Sequence, residues 1–98
     1  MNHFNGLSPA ESERLALLLE EMGEAQQAIG KVLRHGYESR NPHNAGGPSN
    51  REALEAELGD VRHAMERLCA AGDLNGNRIA FRASAKRAAV APYLHHQP

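Results

Sequence analysis

The 98 residues include one cysteine, no tryptophan, two phenylalanines and two tyrosines. A single thiol, Cys69, excludes an intramolecular disulfide framework and a cysteine-rich zinc site, and it suits a reducing compartment. No run of eighteen apolar residues occurs, so no membrane span is expected. The N-terminus lacks a basic region followed by an apolar block, so no secretory signal is read and the expected location is cytoplasmic. Charge of one sign is missing as well. A formal net charge of -1 gives no basis for stable nucleic-acid binding. Strand-like alternation is absent, and no internal repeat is read. His3, His35, His43, His63, His95 and His96 follow no zinc spacing, and no Ser/His/Asp or Cys/His order suggests a nucleophile.

What is present is helical. Ser8-Pro9-Ala10-Glu11 is a helix start: serine caps, proline fits the first helical position and the glutamate closes a capping box. Leu15, Leu18, Met22, Ala25, Ile29 and Leu33 then recur at three- and four-residue steps, ending at His35-Gly36. Gly23 and Gly30 interrupt this run at a cost of roughly 1 kcal/mol each relative to alanine, so close packing or a ligand is expected beside them. Ser49-Asn50-Arg51-Glu52 opens a second helix with the stripe Leu54, Leu58, Val61, Met65 and Leu68. A third helix starts at Asn75 and stops at Pro92. The helices are expected over about 9–35, 50–71 and 76–91, with a Gly/Pro-rich loop at 37–48 that is exposed and mobile.

The expected fold is therefore all-α: one domain over 1–98, an antiparallel bundle of about three helices per chain. A chain this short buries only a modest core, so oligomerisation is expected to complete it.

The chemistry lies in two acidic runs, Glu20-Glu21-Met22-Gly23-Glu24 and Glu57-Leu58-Gly59-Asp60. At about 100° per residue, Glu21 falls on the flank of the first apolar stripe, and Glu24 lies ~60° further round. Glu57 and Asp60 repeat this offset on the second helix, whereas Glu20 points away from the core. Packed side by side, the helices bring Glu21, Glu24, Glu57 and Asp60 toward one spot. Four carboxylates there require positive charge. Hard oxygen donors suit Mg²⁺, with Mn²⁺ also possible, and Mg²⁺ is commonly completed by substrate phosphates.

Glu20-Glu21-x-x-Glu24 followed by Glu57-x-x-Asp60, with Leu58-Gly59-Asp60-Val61 around the second pair, resembles the signature of the MazG-like all-α nucleoside triphosphate pyrophosphohydrolases. The resemblance covers about residues 8 to 70; the separation between the two motifs is longer than is usual in that family. It implies cleavage of a nucleoside triphosphate between its α- and β-phosphates, Mg²⁺ held by Glu21, Glu24, Glu57 and Asp60, and a homodimer or homotetramer. Other phosphoanhydrides, such as phosphoribosyl-ATP or an alarmone, and a non-catalytic binding oligomer are the alternatives.

Around this core of ligands, Glu20 and Glu21 are candidates for positioning or deprotonating the attacking water. Arg82 and Lys86, which with Arg78 form one basic stripe on the third helix, are candidate phosphate contacts, followed by Lys31. Tyr37 beside the loop is the candidate for base or sugar contact. Phe81 is expected in the core.

Overall fold

The computed structural model describes residues 4–98, and His3 lies outside them. The described chain is 69% helix with no strand. Three helices follow one another: α1 (Pro9–His35), α2 (Asn50–Ala70) and α3 (Gly76–Val90), with a final 3₁₀ turn at Ala91–Tyr93. No helix among the described residues is long and apolar enough to cross a membrane.

The helix ends follow from local chemistry. Ser8 and Ser49 side chains each accept a hydrogen bond from the amide three residues on, and the Glu11 and Glu52 carboxylates accept one from the serine amide. Both capping boxes thereby satisfy donors that a helix start leaves open. Asn75 caps α3 through the Arg78 amide. Gly36, at φ +87°, ends α1 and donates its N–H to Val32 at 2.7 Å. A left-handed φ of this kind carries no Cβ penalty at glycine.

Helices α1 and α2 form an antiparallel hairpin. At its open end Arg14 grips Asp73 with two bonds of 2.6 and 3.0 Å. At its closed end the 37–49 loop folds back on both helices. Ser39 and Tyr37 carbonyls accept from the Asn50 and Arg51 amides, Arg40 pairs with Ser49 as an isolated bridge, and the Asn50 side chain donates to the Lys31 and Gly36 carbonyls. Arg51 pairs with Glu38 at 2.8 Å and lies over the Tyr37 ring, 4.3 Å from its centroid. The loop is exposed, as expected, and these bonds tie its ends to both helices. Its turn residues are visible in sequence; the partners that hold it are not.

The seam between the helices follows the apolar stripes only in part: Ala25 and Leu68 belong to them, Ala28 and Ala64 do not. Its buried residues are Ala25, Ala28, Ala64 and Leu68. Leu15, Met22 and Ile29 remain 40–48% exposed and Leu33 is 82% exposed. The seam is therefore rotated from the apolar stripe toward Glu21. The stripe is broad, and small alanines allow close approach along its edge, so size rather than hydrophobicity sets the phase. Gly23, Gly30 and Gly59 have open space where a Cβ would stand. Close packing within the chain accordingly does not account for them.

Helix α3 buries no residue and builds no extensive contact with α1 or α2. Phe81, expected in the core, is 78% exposed. It lacks a core because α3 does not fold back onto the hairpin. The radius of gyration is 17.3 Å, against about 13 Å for a compact chain of this length. Within one chain the structure is a two-helix hairpin with a third helix standing clear, not a closed three-helix bundle.

Candidate functional site

The rotation of the seam decides the site. Because the helices meet along Ala25, Ala28 and Ala64, the side chains of Glu21 and Glu57 project into the contact itself rather than lying on its flank. One oxygen of each, Glu21 Oε2 and Glu57 Oε2, is buried without a hydrogen-bond partner. Glu24 is also half-buried and Asp60 is exposed; one carboxylate oxygen from each of the four lies within 4.8 Å of all the others. The expected convergence of these four residues is what the structure has.

The two helices contribute equivalently. Glu21, Gly23, Glu24, Ala25, Ala28 and Val32 correspond, at one constant offset, to Glu57, Gly59, Asp60, Val61, Ala64 and Leu68. Run antiparallel, two such faces meet with near two-fold symmetry around the carboxylates. The correspondence runs through the acids and small residues and also through apolar pairs such as Leu18 with Leu54.

Electrostatics express the crowding. Burial, followed by the charges of Glu24, Asp60, Glu20 and Glu57, holds the Glu21 carboxyl above its ordinary range. Glu57 is raised by burial first, next by the charge of Glu24 and hydrogen bonding to it, and then by Asp60; Lys31 opposes this. Unpartnered buried oxygens, with Glu21 and Glu57 both raised, are the signs of crowded acids short of countercharge. Four hard oxygen donors with two orphaned atoms fit Mg²⁺ or Mn²⁺.

The remaining candidates divide. Glu20 is exposed and is not one of the four clustered acids. Lys31 lines a cavity of about 330 Å³ together with Glu24, Gln27 and Glu57, so it does stand beside the cluster. Tyr37 is packed under Arg51, away from the cavity walls. Arg82 and Lys86 are exposed on α3, which stands clear of the hairpin, so the single chain does not bring them to the carboxylates. Sequence reasoning passed over His35 and Arg40, and noted Arg34 beside Lys31 without choosing it. They line a larger pocket of about 690 Å³ that shares Lys31, Asn50 and Ala53 with the first. Arg34 had a signal, three residues after Lys31 on α1; Arg40 had none, because the loop's fold places it.

No protein-family model, no curated protein and no solved structure matches this chain.

Proposed function

We propose that the chain is a metal-dependent nucleotide pyrophosphohydrolase of the MazG-like kind, acting on the α–β phosphoanhydride of a nucleoside triphosphate. The observation that carries this reading is the group of four carboxylates within 4.8 Å, two of them with buried oxygens that no protein donor satisfies. Such an arrangement is unfavourable alone and favourable around a divalent cation.

Glu21, Glu24, Glu57 and Asp60 would hold Mg²⁺, with Mn²⁺ as a substitute. Bound there, the ion supplies phosphate charge neutralisation and a water of lowered pKa. In the reaction, a water oxygen bonds to the α-phosphorus, the bond from that phosphorus to the bridging oxygen breaks, and pyrophosphate leaves. The proton lost by the water passes to a carboxylate and then to solvent. Glu21, within the cluster, is one candidate to position the water or receive the proton. Glu20, exposed on the same turn, is the candidate for orienting the water from outside the cluster. The products are the nucleoside monophosphate and pyrophosphate.

A homodimer or homotetramer belongs to the same reading. Leu19 at 74%, Leu33 at 82% and Phe81 at 78% exposed leave apolar faces on α1 and α3 that a monomer does not cover. Association would also be the route by which Arg82 and Lys86 reach a cluster, namely that of a second copy.

The test is release of pyrophosphate and monophosphate from a panel of nucleoside triphosphates with Mg²⁺. Glu57→Gln and Asp60→Asn are expected to lower turnover by at least about 100-fold with unchanged helical circular dichroism. Wild-type rates in both variants would remove the carboxylates from the mechanism. Absence of release from every triphosphate favours the second reading, a non-catalytic helical oligomer that binds a nucleotide or protein. The exposed apolar faces support that reading independently of the acids.

A further inference from the structure

The two cavities adjoin and differ in the charge of their walls. In one stand Glu24 and Glu57. In the other, Lys31, Arg34, His35 and Arg40 line the 690 Å³ pocket, and no aspartate or glutamate does. Lys31, Asn50 and Ala53 belong to both. Lys31 lies seven positions beyond Glu24 on α1, about 10 Å along the axis, and Arg34 follows about 5 Å later.

The pocket is preformed rather than a chance gap in a loose loop. Asn50 ties α2 to the last turns of α1 through the Lys31 and Gly36 carbonyls. Arg40 donates to the Gly47 carbonyl and lies 3.7 Å from Glu52, so it is fixed as part of the wall. Lys31 and Arg34 form no ion pair or side-chain hydrogen bond among the described residues. Arg14 and Arg51, by contrast, are spent on Asp73 and Glu38. A concave wall with two cations outside any ion pair is suited to a polyanion, because charge-assisted bonds to phosphate oxygens are strong.

We propose that this loop pocket is the polyphosphate-tail site, receiving the β- and γ-phosphates of the substrate and then the pyrophosphate product, with Lys31 and Arg34 as its contacts. This rests on the pyrophosphohydrolase reading and gives the substrate a direction. The scissile bond lies at the carboxylates, the leaving group points toward the loop, and the nucleoside extends the opposite way, toward the Arg14–Asp73 end. Charge complementarity sets this direction: a neutral base gains nothing from four basic side chains, whereas a leaving group that carries most of the negative charge does.

The test measures binding of inorganic pyrophosphate with Mg²⁺ at low salt by calorimetry, so it needs no turnover. Arg34→Ala and Lys31→Ala change exposed residues, and unchanged melting confirms that each variant folds. Each is expected to weaken pyrophosphate binding by about ten-fold, while the exposed Arg62→Ala leaves it unaltered. Free nucleoside is expected to leave pyrophosphate binding unchanged. Binding within two-fold of wild type in both pocket variants overturns the proposal, as does displacement of pyrophosphate by nucleoside alone. Failure of the reaction is distinguishable: Arg34-dependent pyrophosphate binding without turnover keeps the pocket and removes the hydrolysis. Normal turnover with Arg34-independent binding does the reverse.

Discussion

Helices α2 and α3 are both capped by a side chain at the start, and both carry arginines among alanines. Yet α2 buries Ala64 and Leu68 against α1, while α3 buries nothing. The difference does not lie in helix-forming chemistry. It lies in whether a complementary surface exists within the chain. Helix α2 finds its counterpart in α1, whose residues match its own at a constant offset and present small side chains at the same phase. Helix α3, at 15 residues, has no such counterpart. An isolated helix of that length is marginal in water, which agrees with the proposal that a second copy covers it.

The largest expected effect tests this contrast in the cores. Leu68 is fully buried, and Leu68→Ala is expected to cost about 2–5 kcal/mol. The matching truncation in the third helix, Phe81→Ala, is expected to stay within about 0.5 kcal/mol for the monomer. Urea unfolding at several protein concentrations checks both. A large Phe81→Ala cost that grows with protein concentration would show α3 to be an interface helix. A large cost independent of concentration would contradict the separation of α3 from the hairpin.

An intermediate effect is expected at the caps. Ser49 is 3% exposed and closes the loop as well as capping α2. Ser49→Ala is expected to cost about 1 kcal/mol in cooperative unfolding. Asn75→Ala removes a cap of similar strength, but from a helix outside the cooperative unit. It is expected to reduce helical circular dichroism without shifting the hairpin's midpoint. A shift equal to that of Ser49→Ala would place α3 in the same cooperative unit.

These contrasts also indicate what could be read from the sequence. The helix ends were legible because caps are local: Ser8 with Glu11 and Ser49 with Glu52 specify their own geometry. The four acids were legible as a group because two helices carried them at the same spacing. The phase of the seam was legible only in part: Ala25 and Leu68 belonged to the apolar stripes and are buried, whereas Ala28 and Ala64 lay outside them and are buried while Met22 and Ile29 stay exposed. The ties of the loop to the helices were not legible, because Asn50 reaches back nineteen residues to Lys31. Nor was the isolation of α3, which depends on a surface the chain lacks.

The smallest expected effect is a pH dependence, small because the acids are only half-buried and solvent screens them. It sharpens the comparison within the hairpin, between its acidic middle and its Arg14–Asp73 end. Burial and neighbouring charge raise Glu21 and Glu57, so their folded forms hold protons more tightly than the unfolded chain. Their contribution is fully present below the unfolded value of about 4.3 and is lost as pH rises through the folded value. Asp73 behaves oppositely. Its hydrogen bond from Arg14 lowers it, so its contribution is present above about 3.9 and is lost as pH falls through the folded value. Without metal, the melting temperature is expected to decline from mildly acidic pH toward neutrality and to fall again at strongly acid pH. With Mg²⁺ the neutral-side decline is expected to disappear, because a cation bound to the folded state replaces the missing protons. Glu57→Gln should flatten the same limb in metal-free protein, and Asp73→Asn should flatten only the acid limb. A metal-free melting curve that is level from pH 5 to 8 would mean that the carboxylates do not repel one another enough to hold a site open for a cation.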